Sequence, residues 1–173
     1  TNLDDTRKSA MLSFRSSPYG STSHAIANQN AFNTFWNGQS LFYSSGHHTS
    51  FTDIHGVYCH RATRAHNTIL VNGMGQRIGT EGYGWIPRYY VSDNISYVAG
   101  DAGLKIFRRH IVTLGKSGYS FIYDELEAEE PVTWSYLLHT VTNPMNVDKT
   151  REYVHIRATS KDGASDAYLF SSG

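Results

Sequence analysis

The sequence predicts an all-β fold, a two-layer antiparallel β-sandwich of about ten or more short strands in a supersandwich-like arrangement. Three observations point there. Short apolar or alternating runs recur along the chain, and polar turn residues separate them. Ser, Thr, Asn and Gly are abundant, Pro is used only four times, and charged residues make up 17%. No segment carries a long amphipathic helical pattern.

The elements follow in order. Ala10 to Phe14 is a short apolar stretch closed by the turn-rich Arg15-Ser16-Ser17-Pro18-Tyr19-Gly20. Ala31 to Trp36 is a strand, and Asn37-Gly38 turns it into Leu41-Phe42-Tyr43 as a hairpin. The polar stretch from Gly46 to Tyr58 reads as a loop over one end of the sheets. Thr68 to Val71 is a buried strand stopped by Asn72-Gly73. Strands follow at Tyr89–Val91, Ile95–Val98, Ile106–Leu114, Tyr119–Tyr123 and Val132–Leu138. Glu152 to Ala158 alternates at period two, and Ala167 to Phe170 closes the series. Asp124 to Glu130 is the best helical fragment, ended by Pro131.

At 173 residues the chain suits a single domain with a real core. Lys and Arg total 15 and Asp and Glu total 15, so no basic surplus exists to neutralise phosphates, and nucleic acid is not an expected partner. Aromatic residues make up 13%, which excludes a disordered polar chain. No run reaches the length of a membrane span, and Thr1 to Lys8 lacks the apolar core of a signal peptide. The first residue is not Met, as expected after processing, trimming or excision from a longer chain. Cys59 is the only cysteine, so no intrachain disulfide exists.

Several motifs have plain structural readings. Asn72-Gly73-Met74-Gly75-Gln76-Arg77-Ile78-Gly79 resembles a dinucleotide fingerprint, but its third Gly comes one residue late and no β-α-β unit surrounds it. It reads as a glycine-rich turn. Asn94-Ile95-Ser96 is a glycosylation triplet by pattern only. No Gly-x-Ser-x-Gly elbow is present. Cys59 and His60, as neighbours on a strand, would point to opposite faces and form a poor dyad.

Histidine is the informative residue. Six of the nine His fall between residues 24 and 66. His24 lies in Ser23-His24-Ala25-Ile26-Ala27-Asn28-Gln29-Asn30, and His66 in Arg64-Ala65-His66-Asn67-Thr68. Each imidazole sits beside amide side chains at a strand edge, a setting for a general base, a proton donor or a metal ligand. A hydrogen-bonded structural histidine fits the same pattern.

These segments resemble the sheet domain of the heparinase II/III-like polysaccharide lyases. The matching pieces run in order from Phe14-Arg15-Ser16-Ser17-Pro18-Tyr19-Gly20-Ser21 through the His24 segment, Leu41-Phe42-Tyr43-Ser44-Ser45-Gly46 and the His66 segment with Gln76. Gly100-Asp101-Ala102, Arg108-Arg109-His110-Ile111-Val112, Ile122-Tyr123-Asp124 and Leu137-Leu138-His139 continue the series. The resemblance implies one domain of a larger enzyme, missing an N-terminal α/α toroid that supplies the other cleft wall. It implies β-elimination on an acidic, uronate-containing polysaccharide, an isolated domain that is inactive, and a periplasmic or secreted location. His24 maps onto the family's catalytic histidine, in proton transfer or carboxylate neutralisation. Arg15, Asn28, Gln29 and Asn67 are candidate donors to the substrate carboxylate, and Tyr19 and Tyr58 candidate sugar-stacking or phenol groups.

One departure concerns zinc. Many members carry His-Ala-His-Ala-Asp-Gln, an Asp at a strand end and the His-Asn segment. Here those positions hold Ile26, Asn28 and Ser44, and of the three ligands only His66 remains. Zinc needs about four N, O or S donors, so zinc as a cofactor is expected only if His47, His48 or His60 substitutes. A non-catalytic carbohydrate-binding or structural module and a uronyl epimerase are the alternative functions.

Overall fold

The computed structural model describes residue 7 and residues 9–22, 24–45, 53–103, 106–115, 117–141 and 143–171. The described residues contain twelve strands: β1 Ala10–Arg15, β2 Ala31–Trp36, β3 Gln39–Ser40, β4 Ile69–Val71, β5 Gly84–Val91, β6 Ile95–Ala102, β7 Ile106–Leu114, β8 Ser120–Glu127, β9 Trp134–Tyr136, β10 Asn146–Lys149, β11 Val154–Thr159 and β12 Ala164–Leu169. All pair antiparallel. One layer is the four-stranded meander β5-β6-β7-β8; the other is made of the short sheets β1-β2-β3, β4-β9 and β10-β11-β12. The predicted all-β sandwich is therefore what the chain forms.

Alternation builds the core between the layers. On β7, Phe107, Arg109 and Ile111 are buried, while Arg108 and His110 point to the other face. Ile111 packs with Phe32, Leu41, Phe42 and Ala158 from the opposite layer. Phe107 packs with Ile69 and Ala102, flanked by Leu126 and Trp134.

Arg109 is the exception to an apolar interior. It is 0% exposed, and its guanidinium donates to both oxygens of Asp124, its cross-strand partner, at 2.7 Å each. It also donates to the backbone carbonyls of Asn30 at 2.7 Å and Asn67 at 3.2 Å. The rings of Phe32, Phe107 and Tyr136 lie 5.1–5.4 Å from its central carbon. Thus one side chain on β7 ties its sheet to the two segments that precede β2 and β4. Asn30 turns with a φ of 56° and donates to the carbonyls of Gly100 and Phe107. Gly100 has no room for a Cβ, which would collide with Asn30 Oδ1 and the Phe14 ring.

Local readings were corrected in four places. Asp124 to Glu127 belongs to β8 rather than to a helix, because Asp124 must face Arg109 across the ladder. The Asn37-Gly38 hairpin forms as expected, with φ of 54° and 74°, but its return strand is Gln39–Ser40. Leu41 and Phe42 still bond to Thr34 of β2, at 3.0 and 2.8 Å, and Phe42 also bridges to Thr140. The strand expected over 132–138 shrinks to Trp134–Tyr136. Cys59 and His60 lie in a single π-helical turn, Gly56–His60, not on a strand. The Asn72-Gly73 segment is a tight turn bridging Val71 and Met74. Gly46 to Thr52, including His47 and His48, lie outside the described residues.

Replacing Asp124 by Ala strands the Arg109 charge without its counter-ion. The expected loss of stability is about 3–5 kcal/mol, measured by urea denaturation. A loss below about 1 kcal/mol, the range of an exposed pair, would show that the ion pair does not hold the layers together.

Candidate functional site

The residues around His24 form a set of loops at one end of the sandwich. His24 is exposed, on the connection between β1 and β2. Beneath that connection lies the half-buried guanidinium of Arg15, at the end of β1. It donates to the Ile26 carbonyl at 3.2 Å, to Asn28 Oδ1 at 2.5 Å and to the Gly20 carbonyl at 3.3 Å. On the other side, Ala27 N–H donates to the Arg61 carbonyl at 3.0 Å, and the Arg61 guanidinium to the Ala25 carbonyl at 3.4 Å. Arg61 directly follows the π-helical turn that carries Tyr58. Tyr19 and Tyr58 are 77% and 75% exposed. The structure thus ties the loops of His24, Tyr19 and Tyr58 to one another, with two arginines as the braces. Burial lowers the Arg15 pKa, yet a guanidinium stays charged near neutral pH. The arrangement is a solvent-exposed imidazole on a loop held by two guanidiniums, which suits an anionic ligand.

Gln29 and Asn67 occupy a different place from the one expected of substrate donors. Gln29 is 1% exposed and Asn67 is 0% exposed. Gln29 Oε1 accepts from Ser17 N–H, and its amide nitrogen donates to the carbonyls of Ser17 and Gly82. Its backbone pairs reciprocally with the Gln76 side chain, at 2.7 and 2.8 Å. Asn67 donates to the Phe32 carbonyl and accepts from His139 N–H. Both amides spend their hydrogen bonds inside the protein, so they shape the loops rather than face a ligand. Asn28 is half-buried, with its Oδ1 held by Arg15.

His66 is also interior, at 1% exposure. Its Nε2 donates to the His60 carbonyl at 2.8 Å, which leaves Nδ1 to accept from the Ser44 hydroxyl at 2.9 Å. Ser44 is anchored in turn by the Asn33 side-chain oxygen, which accepts from its N–H at 3.1 Å. The zinc that the resemblance implies does not fit these groups. Both nitrogens of His66 are engaged, Ile26 offers no donor atom, and Ser44 offers a hydroxyl in place of a carboxylate. Among the described residues no three His, Cys, Asp or Glu side chains are placed to hold a metal.

A model of the heparinase II/III-like, C-terminal family matches residues 3–173. The chain belongs to that family. Among solved structures it is similar to the heparan sulfate lyase HepC from Pedobacter heparinus, with a TM-score of 0.69 and 19% identity over 89% of this chain. It is also similar to a solved heparinase III, with a TM-score of 0.66 and 16% identity over 91% of this chain. At these identities the likeness is one of fold. The chain spans 24% and 26% of the length of those two proteins. No curated protein matches the sequence.

Arg61 shapes the site without a signal in the sequence, whereas Gln76 and Ser44 lie in the segments that carry the family resemblance and only their bonds to Gln29 and His66 were not legible there. Gln76 stood inside a glycine-rich turn and Arg61 beside a polar loop, where periodicity carries no signal.

Two measurements follow from His66. Burial first of all, with the neighbouring His60, His139 and Arg15 adding repulsion, pushes its pKa down to about 4, against the favourable bond to the His60 carbonyl. An unfolded imidazole takes up its proton near pH 6.5. Between those values only the unfolded chain binds the proton, so the stabilisation is complete above pH 6.5 and is lost as pH falls toward 4. His139, also lowered by burial, acts in the same direction. Stability measured by urea denaturation should therefore drop between pH 7 and pH 5, by about 2 kcal/mol at pH 5 from His66; a flat profile contradicts the buried neutral state. Elemental analysis of the purified chain should give well under one zinc per molecule, and a stoichiometric value would overturn the reading of the donor set.

Proposed function

We propose that this chain is one wall of the cleft of a polysaccharide lyase, a carbon–oxygen lyase acting on a uronate-containing glycan, with His24 as its catalytic imidazole. The observation that carries the reading is the placement of His24: exposed, on a loop braced by Arg15 and Arg61, within a domain that belongs to the heparinase II/III-like family. The solved relatives are named for heparan sulfate and heparin lyase activity. That favours a glycosaminoglycan over alginate as the polymer.

The chemistry is β-elimination. A base removes the proton from the carbon next to the uronate carboxylate. The electron pair forms a carbon–carbon double bond as the neighbouring glycosidic carbon–oxygen bond breaks, and the departing oxygen takes a proton. The proton is acidic enough only when the carboxylate charge is offset. His24 can hold or move a proton at that position, and Arg15 and Arg61 contribute a steady positive potential. Tyr19 and Tyr58 present a phenol or a stacking ring beside it. The remainder of the cleft, an α/α toroid in this reading, belongs to the larger protein. Secretion or export to the periplasm suits a polymer that cannot cross a membrane. Among the described residues no helix is long and apolar enough to span a membrane.

In the full-length enzyme, His24→Ala should lower turnover by about 100-fold or more, followed by the ultraviolet absorbance of the unsaturated product. His24→Gln should be equally impaired, since an amide keeps the shape and hydrogen bonding but cannot exchange the proton. Unchanged turnover in either variant rejects the assignment.

A further inference from the structure

At the end of the β5–β8 sheet near Gly103 and Ile106 lies a cleft lined by outward-facing residues together with the edges of Ala102 and Phe107. Its floor is one cross-strand row, Trp85–Asp101–Arg108–Glu125, with each residue directly opposite the next. All four side chains therefore project from the same face. Tyr83, one alternation before Trp85, leans on its ring with centroids 5.3 Å apart and planes at 56°. The cleft encloses about 230 Å³. Trp85 is 51% exposed and Tyr83 41%. Arg108 donates to both oxygens of Asp101, at 2.6 and 2.9 Å. Glu125 stands beside His110 at 3.5 Å, and His110 is itself bonded to the Tyr97 hydroxyl at 2.8 Å.

We propose that this cleft is a glycan subsite that holds an uncharged pyranose unit, stacked on Trp85 and hydrogen-bonded through its hydroxyls to Asp101, Arg108 and Glu125. The chemistry selects that ligand. A half-exposed indole offers a flat apolar surface with a negative π face to the C–H side of a sugar ring. The ionic groups beside it offer fixed acceptors and donors at the rim of that ring, the mixture of apolar wall and few convergent polar groups typical of small-ligand sites. Charge disfavours an acidic unit: among the described lining residues Arg108 is already paired with Asp101, and Glu125 adds a further carboxylate. A protein partner would meet two carboxylates and a guanidinium at the centre of its footprint, where interfaces are depleted of charge.

The cleft also has a physical link to the first site. Ser16 Oγ donates to the Asp101 carbonyl at 2.9 Å, and Gly84 N–H donates to the Ser17 carbonyl at 2.8 Å. The strands that build the cleft are thus pinned to the loop bearing Tyr19. The polymer on which this unit would lie rests on the function proposed above; the binding chemistry of the cleft does not.

The test uses the full-length protein; its neutral probes carry no uronate, so turnover plays no part in their binding, and the acidic probe is titrated on the His24→Ala protein. Cellohexaose and N-acetylated chitohexaose serve as neutral pyranose probes and a hexagalacturonate as the acidic one, by isothermal titration and ligand-observed NMR. At least one neutral probe should bind. Trp85→Ala should weaken it by about tenfold, and Trp85→Phe should restore most of the loss, which a merely structural role for Trp85 would not do. Glu125→Gln should improve hexagalacturonate binding in this cleft. If no neutral probe binds, or if Trp85→Ala leaves binding unchanged, the subsite does not exist; protection of Trp85 from a soluble quencher would then assign the face to packing against another part of the protein. A failure of His24→Ala to reduce turnover would leave these outcomes untouched, so the two proposals fail separately.

Discussion

A single buried cation organises this domain. Arg109 sits between Phe107 and Ile111 on the inward face of β7, where period-two patterning would place an apolar side chain. Its full burial is tolerated only because every direction of the guanidinium meets a partner: both Asp124 oxygens, the carbonyls of Asn30 and Asn67, and three aromatic rings. The two carbonyls matter for function. They belong to the residues at which the chain enters β2 and approaches β4, and so at the ends of the His24 and His66 segments. A packing requirement in the core thereby sets where the site loops begin.

From that anchor a hierarchy of buried amides extends outward. Gln29, Asn67 and Gln76 saturate the backbone of the connecting segments, and Arg15 and Arg61 brace the outermost loop. His24 stands at the end of this series, exposed on the loop that the two arginines hold. The polar residues of the interior are positioning groups, whereas the surface carries the groups that can meet a sugar. The Ser44–His66–His60 contact fits the same logic: a hydroxyl and a carbonyl hold an imidazole in a fixed neutral form, and the carboxylate that would make it a metal site is missing.

The fold was legible because burial between two layers imposes period-two alternation, which survives in β11 as plain text, and because polar turns separate the other short apolar runs. Where it misled, a long-range partner had overridden local preference. Asp124 to Glu127 has helix-forming composition, yet Asp124 is drawn into the ladder by Arg109. Trp134–Tyr136 pairs with β4, Leu137 N–H still reaches the Thr68 carbonyl in the same register, and beyond it the His139 carbonyl accepts from Tyr43 N–H. At the site, residue type identified the right segments but not which side chains face outward. Gln29 and Asn67 look like ligand donors beside their histidines, and only the packing shows their amides spent on Ser17, Gly82, Phe32 and His139.

The amino-acid sequence by itself determined the all-β class, the Asn37-Gly38 hairpin, the family and the poverty of the zinc ligand set, since all four depend on residue identity at short range. The tertiary structure alone decided that His24 is open while His66 is sealed. It also decided that Arg109 is interior and Arg108 exterior, although they are neighbours of the same charge. The cleft beside Trp85 arises in the same way, from four residues on four strands that meet only when the meander closes in register. Exposure and convergence are properties of the packed layers, and no local pattern in the chain encodes them.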